Sequence, residues 1–443
     1  MQLLTPAFGV PPHVFASLSA TRATPDDIRL LRAGLHSRRL VLLKSLLAQA
    51  DRHAVPQWAR QRLARHWRLL ERAEARDPAA ARDALDYPAV GNWLLHALSL
   101  TDRDAFADFL AGFGAVAAAV ALRTGTGFRL TLEPREGRLT LPGVGVYETR
   151  SARVRAVAGP RSLRLTPEHR RAGTLLRAPY SGAGAAGWRP LRRLPGGSAV
   201  LDDLDPHRAG PLPPSDGAAW DTGAGTPEAR ARDALGDRVW RSRWSAALTL
   251  LQSADPERAA EVSALVRAVV PMARRPGAPG SATLRSAPGG LLAKLPCSAW
   301  ELAVVLVHEA QHSKLAVLTD LVPLVAPGST AVHRVAWRPD PRPLDAVLHG
   351  TYAHLALADL WQRLSERRGA TPSARAAARA RSADYHGQVA PALAALRASG
   401  ELTPAGASFT EGMRRQHARL ARRSGYSGYP QGSYPQASHV AAS

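Results

Sequence analysis

The chain has 443 residues, 45% hydrophobic and 21% charged, which excludes a largely disordered or fibrous protein and gives enough length for two or three domains. Its net charge of +22 comes almost wholly from arginine. These arginines are dispersed and are not interleaved with aromatic residues, so we predict a solvated basic surface that suits acidic or anionic partners, and no nucleic-acid interface. Cys297 is the only cysteine, which excludes an intrachain disulfide and a thiolate zinc cluster.

The N-terminal residues, Met1 to Pro6, lack the charged-then-apolar pattern of a signal peptide. The longest apolar run, Phe109 to Leu122, contains two glycines and is too short to span a bilayer. We therefore expect a soluble, cytoplasmic protein with no membrane partner.

The first half of the chain changes pattern twice. Residues 1–122 carry apolar residues at helical spacing and are predicted to form an N-terminal helical region. Residues 123–205 are predicted to be β-rich, because segments such as Phe128–Leu132 alternate with period two. Residues 206–225 are rich in Pro, Gly and Ala and predict a linker or long loop.

The helical pattern returns over residues 226–423, which we predict to be a helical catalytic domain. Residues 424–443 repeat Ser, Gly, Tyr and Pro without core residues and are expected to be disordered. The expected fold class is therefore α+β, mainly helical, with a β-rich middle region and a C-terminal helical metal-binding domain.

The segment His308-Glu309-Ala310-Gln311-His312 carries the clearest chemical signal. Ser298 and Glu301 form a Ser-x-x-Glu capping box, which predicts that a helix begins just before it. On such a helix the two histidines lie one turn apart on one face, so both imidazoles can bind one divalent ion. A chance pair of histidines on a buried helix is the alternative interpretation.

Two histidines leave a metal site incomplete, and His354 is the predicted third ligand. It lies on the next predicted helix, which begins after Pro343, and Gly350 one turn earlier leaves room for an ion close to the backbone. His349 is five residues before His354 and is expected to lie on a different face of the helix. The alternative for His354 is a hydrogen-bonded core histidine.

Arg338 and Arg342 lie between the two helices in what we predict to be a proline-stiffened loop. Guanidinium groups in such a loop are suited to bind a carboxylate bidentately. A structural salt bridge to Asp340 or Asp345 is the alternative.

Several stretches, taken together and in this order, resemble the HExxH-type peptide-modification proteins of RiPP gene clusters, which are 2-oxoglutarate-dependent peptide β-hydroxylases. The resemblance extends to residues 30–40 and 402–409 and covers most of the chain except the tail and parts of the β-rich middle. The stretches that carry it are Leu306–Leu315, Asp320–Leu324, Trp337–Leu344 and Gly350–Leu355.

The resemblance implies a mononuclear Fe(II) enzyme that uses 2-oxoglutarate and O2 to hydroxylate a β-carbon of a ribosomally made precursor peptide. His308, His312 and His354 would be the metal ligands, leaving coordination positions open for 2-oxoglutarate and O2. Some relatives are fused to a radical-SAM maturase, which makes such an enzyme a candidate partner. One departure is His349, where the family pattern leads us to expect a glutamine, so His349 competes with His354 as third ligand.

The resemblance also implies a carboxylate anchor for 2-oxoglutarate. Arg338 or Arg342 would fill that role, with Lys314 as a weaker candidate. Glu309 is the catalytic residue with the least obvious task in a hydroxylase: it would orient a ligand or a bound water, or complete the coordination itself.

The main alternative is a zinc-dependent metallopeptidase in which Glu309 is the general base. Against it, the chain lacks the third-ligand patterns of the common zinc peptidases. A peptide-binding scaffold with a structural metal is a second alternative. It is disfavoured because structural zinc usually has four protein ligands, often cysteines, and this chain has a single cysteine.

Overall fold

From residue 9 onward, seven helices precede the first strand, as the helical spacing of the N-terminal region predicts. The computed structural model describes residues 9–182, 184–209, 234–272, 280–329 and 331–424. The helices are α1 Pro12–Ser19, α2 Pro25–Arg52, α3 Gln57–Arg76, α4 Pro78–Leu85, α5 Pro88–Ser99, α6 Arg103–Leu110 and α7 Phe113–Thr124.

Helix α7 illustrates why this region forms a core. It is rich in alanine and valine and is buried over almost its whole length, and Gly125 ends it in the left-handed conformation at φ +69°. Together α6 and α7 form the one described stretch, Arg103–Thr124, that is long and apolar enough to cross a bilayer. Because 72% of its most apolar window is buried inside the structure, it has the character of a core helix of a soluble protein.

Short strands follow, as the period-two alternation predicts. Phe128, Leu130 and Leu132 of the first strand are buried, and Arg129 and Thr131 between them are exposed. The strands are β1 Phe128–Leu132, β2 Arg138–Leu141, β3 Gly145–Glu148, β4 Val154–Gly159, β5 Ser162–Pro167, β6 Thr174–Arg177, β7 Trp188–Pro190, β8 Arg192–Arg193 and β9 Val200–Leu201.

The second half is mainly helical, and its described residues include five further strands that the helical pattern over 226–423 did not predict. Most of the predicted linker and nearly all of the predicted disordered tail lie outside the described residues. The elements are α8 Ala234–Ala254, α9 Pro256–Leu265, β10 Ala268–Met272, β11 Ser281–Thr283, β12 Gly290–Lys294, α10 Ala299–Leu321, β13 Val332–Val335, β14 Arg338–Pro343, α11 Leu344–Ser365, α12 Pro372–Ala398 and α13 Pro404–Ser424.

The chain is divided into two compact units, each built from separated stretches of sequence. Unit A comprises Met1–Asp27, Leu251–Ala259 and Leu318–Ser443, and unit B comprises Ile28–Leu250 and Ala260–Val317. These units do not follow the contiguous domain ranges expected from the sequence. The coarser expectation, a mixed α+β and mainly helical protein, is confirmed.

The described residues of unit B form three sheets, one of which positions the candidate site. Its strand order is β11-β12-β10-β9-β8, with β9, β10 and β12 parallel to one another and β11 antiparallel to β12. The other two sheets are antiparallel, with the orders β1-β4-β5-β6 and β2-β3-β7.

Unit A packs α11 against α12 and α13, and its only described sheet is the β13–β14 hairpin. A buried charge network ties α11 to the rest of the unit. The Asp359 carboxylate accepts hydrogen bonds from Arg22 and, at 3.3 Å, from the fully buried Arg258. Burial by itself would raise the pKa of Asp359, but the positive charges of these two arginines and of Arg363 outweigh it and lower the pKa.

Candidate metal centre

Helix α10 begins where the capping box predicts. The Ser298 hydroxyl accepts a hydrogen bond from the backbone N–H of Glu301 at 3.1 Å, and the Glu301 carboxylate accepts one from the backbone N–H of Cys297 at 2.5 Å. Behind the cap, Leu302, Leu306 and their neighbours are fully buried in unit B. The helix ends at Leu321, two residues before Pro323, a residue type that terminates helices.

The two histidines of the predicted site face each other across one turn of α10. Their Nε2 atoms are 3.0 Å apart, and their ring centroids are 4.7 Å apart with the planes at 74°. Both side chains are partly exposed. Burial, with a smaller effect of the neighbouring His308, lowers the pKa of His312 to about 4, so the His312 imidazole is neutral at physiological pH, the state in which it can bind a metal.

Glu309 lies on the same helix, but its carboxylate is held by strand β11. The Ser281 hydroxyl donates to Glu309 Oε1 at 2.7 Å, and the Thr283 hydroxyl donates to Glu309 Oε2 at 2.7 Å. Ser281 and Thr283 are two residues apart on one strand and therefore project to the same side. Glu309 is only 2% exposed, so water has little access to its carboxylate. Each of the two carboxylate oxygens instead accepts a hydrogen bond from a protein hydroxyl.

His354, the predicted third ligand, belongs to unit A, whereas His308 and His312 belong to unit B. Within the described ranges, no three or more His, Cys, Asp or Glu side chains come together as a group that could hold a metal ion. The third ligand therefore stays a prediction, for His354 and for His349 alike. His349 is 3% exposed and His354 is 9% exposed, both on α11.

The space expected for an ion beside Gly350 is filled by Trp337. A Cβ added to Gly350 would lie 2.7 Å from Trp337 Cζ2. The Trp337 ring also packs on His354 with centroids 4.4 Å apart, and Tyr385 meets His354 edge-on at 5.2 Å. Because Gly350 has no side chain, the Trp337 indole packs directly against its backbone. The expectation of room for an ion beside Gly350 was therefore wrong.

Arg338 and Arg342 lie on strand β14, not in a loop, which corrects the sequence-based expectation. Arg338 Nε donates to Asp340 Oδ1 at 3.2 Å, and Arg342 Nη1 donates to Asp340 Oδ2 at 3.1 Å. The alternative weighed from the sequence, a salt bridge to Asp340, is therefore present. Asp340 is 47% exposed and bridges both arginines at the surface of unit A.

Lys314 lies in the interior of unit B. Its ammonium Nζ is 2.9 Å from Glu261 Oε2, and both side chains are 1% exposed. The Glu261 carboxylate therefore compensates the charge of Lys314, which needs no carboxylate from a bound ligand.

Protein-family models and curated proteins give no match to this chain. The resemblance to peptide β-hydroxylases therefore depends on the sequence stretches themselves.

Sequence reasoning did not identify Ser281 and Thr283, which hold Glu309. They lie 28 and 26 residues before the glutamate, and a pair of hydroxyl residues two apart on a three-residue strand has no distinctive pattern. The available signal was indirect. A buried glutamate on a capped helix needs donors, and a nearby strand with hydroxyl side chains on one face can supply them.

Proposed function

We propose that the protein is an Fe(II)- and 2-oxoglutarate-dependent hydroxylase that acts on a β-carbon of a ribosomally made precursor peptide in the cytoplasm. The observation that carries this proposal is the pairing of His308 and His312 through their Nε2 atoms while Glu309 is occupied by two hydroxyl donors. The sequence stretches that resemble the hydroxylase family supply the choice of metal and cosubstrate.

The positions of the two histidines are compatible with binding one ion. Their Nε2 atoms are 3.0 Å apart, a hydrogen-bond distance, so the two imidazoles are already turned toward each other. Both would be protein ligands of a bound ion. The choice of Fe(II) comes from the resemblance alone.

The environment of Glu309 favours a positioning role over a catalytic base. A general base in a zinc peptidase must direct one carboxylate oxygen at the attacking water. In this chain both oxygens accept hydrogen bonds from β11. We infer that Glu309 places a fixed negative charge beside the two histidines and so strengthens their binding of a cation.

The arginines of β14 are the proposed anchor for the distal carboxylate of 2-oxoglutarate. Arg338 and Arg342 converge on Asp340, so their guanidinium groups are already held for a carboxylate. A ligand carboxylate would compete with the half-exposed Asp340 for them. Lys314 suits this task less well, because it is buried against Glu261.

When bound, Fe(II) with 2-oxoglutarate and O2 supplies the oxidant, and the balanced reaction gives hydroxylated peptide, succinate and CO2. The chain's own part is to hold the ion through His308 and His312 and a third ligand, proposed as His354. A radical-SAM maturase remains a candidate partner in the modification of the same peptide.

The test uses protein purified anaerobically and supplied with Fe(II), 2-oxoglutarate, O2 and the short peptide encoded beside its gene. We expect succinate and a peptide heavier by one oxygen atom, in equal amounts. His308→Gln and His312→Gln should lose bound iron and both products. His169→Gln, a change at an exposed histidine, should retain them.

A cleaved peptide, or turnover restored by zinc without 2-oxoglutarate, would contradict the proposal and establish the metallopeptidase. His354→Ala with unchanged iron content would remove His354 from the ligand set while leaving the two helix-α10 histidines in place.

A further inference from the structure

A cleft on unit A concentrates positive charge. It has a volume of about 530 Å³ and is lined by residues from the end of α8, the end of α11 with the turn after it, and the end of α13. Four of its seven lining residues are arginines and one is a glutamate. The lining residues are Ser253, Ala254, Arg363, Glu366, Arg367, Arg368 and Arg423.

Two of the four arginines are held in place by carboxylates. Arg363 is 3.4 Å from the buried carboxylates of Asp255 and Asp359, and Arg423 Nη2 is 2.8 Å from Glu366 Oε2. These ion pairs restrict the side chains of Arg363 and Arg423. The two side chains therefore lose less conformational entropy when a ligand binds.

The other two arginines, Arg367 and Arg368, follow the C-terminus of α11. Among the described residues neither has a carboxylate partner, and both side chains reach solvent. Their charge is therefore not compensated within the described part of the chain. A concave wall with uncompensated charge of one sign focuses the electrostatic potential and raises the local concentration of oppositely charged ligands.

We propose that this cleft, the Arg363–Arg368–Arg423 cleft, binds an acidic peptide segment with two or more neighbouring Asp or Glu side chains. Guanidinium groups bind carboxylates through paired hydrogen bonds. The Glu366 carboxylate accepts hydrogen bonds from Arg423 and Gln362, so it does not occupy Arg367 or Arg368.

A nucleic acid fits this cleft less well. None of the seven lining residues is aromatic, so the wall lacks the aromatic platforms on which the bases of single-stranded nucleic acids usually stack. The inference does not depend on the proposed hydroxylase activity, because it requires neither metal nor cosubstrate.

The test measures the fluorescence anisotropy of a fluorescein-labelled hexaglutamate peptide titrated with the full chain. We compare wild type with Arg367→Glu/Arg368→Glu and with a control, Arg375→Glu/Arg379→Glu, on the exposed face of α12. Both variants change the net charge equally, so the long-range field of the basic chain falls by the same amount in each. We expect the cleft variant to weaken binding by about tenfold or more and the control by less than about twofold.

The milder Arg367→Gln/Arg368→Gln should weaken binding in the same direction by a smaller factor, and circular dichroism should show all variants folded. Equal losses in the cleft and control variants would overturn the proposal, because the peptide would then respond only to the overall charge. Stronger binding of a labelled oligothymidylate of equal charge, lost in the cleft variant alone, would replace the peptide by nucleic acid.

Discussion

Lys314 Nζ and Glu261 Oε2 lie 2.9 Å apart in the interior of unit B. Replacing the lysine takes away a buried charge partner of Glu261, so we expect Lys314→Met to lower the free energy of unfolding by about 3–5 kcal/mol. The double change Lys314→Met/Glu261→Leu should cost less than the single one, since no isolated charge remains. Urea unfolding of the single and double variants measures this. A Lys314→Met variant that is as stable as wild type but has lost 2-oxoglutarate binding would instead make Lys314 the cosubstrate anchor.

The hydroxyl pair that holds Glu309 makes a second stability prediction. Ser281→Ala/Thr283→Val preserves side-chain volume but removes both donors to a buried carboxylate, and we expect a loss of about 1–3 kcal/mol for each unsatisfied oxygen. Thr131→Val on the exposed face of β1 is the control and should change stability by less than about 0.5 kcal/mol. Denaturant unfolding followed by tryptophan fluorescence distinguishes the two. No difference between variant and control would mean that Glu309 has other donors.

Gly350 should not tolerate a methyl group. The added Cβ would lie 2.7 Å from Trp337 Cζ2, so Gly350→Ala is expected to destabilise by about 1–3 kcal/mol through overpacking. Trp337→Phe in the same chain removes the overlapping ring and should recover part of the loss. Gly387→Ala on α12 is the matched control, because its Cβ would meet no atom within 4 Å and a helical alanine is favoured over glycine by about 1 kcal/mol. Melting temperatures that fall equally in both alanine variants would contradict the packing account.

Asp205 gives a prediction about pH. It is 2% exposed, and burial together with the negative charge of Asp202 raises the pKa of Asp205 to about 8. Because the folded pKa is above the unfolded value of about 3.9, this residue's contribution to stability is fully present below about pH 4 and is lost as the pH rises through about 8.

We therefore expect Asp205→Asn to match wild type near pH 4 and to melt at a higher temperature than wild type near pH 8, since asparagine cannot ionise. Thermal unfolding across this range measures the difference between the two proteins, in which the titration of groups remote from Asp202 and Asp205 cancels. The exposed Asp51→Asn serves as control. A difference that shrinks with rising pH would contradict the assignment.

Local signals predicted α10 well because its determinants lie within a few residues of one another. The cap at Ser298, the buried apolar face and the terminator Pro323 act along a single helix, and the facing of His308 and His312 follows from helical geometry alone. The four-residue spacing therefore placed the histidine pair correctly.

Contacts made across long sequence separations could not be predicted in this way. Nothing near Glu309 indicates that its donors are on β11, and nothing near Gly350 indicates that an indole fills the space beside it. The alternating prolines after Trp337 suggested a loop, because proline cannot donate to a strand ladder. In an antiparallel hairpin only alternate residues need to bond with the partner, so β14 accommodates a proline at every second position.

The single thiol at Cys297 gives a means of observing the ion directly. It is exposed and lies just before α10, and its backbone N–H is fixed by the Glu301 carboxylate. A nitroxide attached there would be separated from His308 by about 11 helical residues, or roughly 16 Å of axial rise. At that range a paramagnetic ion held by the two imidazoles should broaden the nitroxide's magnetic-resonance lines, and a diamagnetic ion should not.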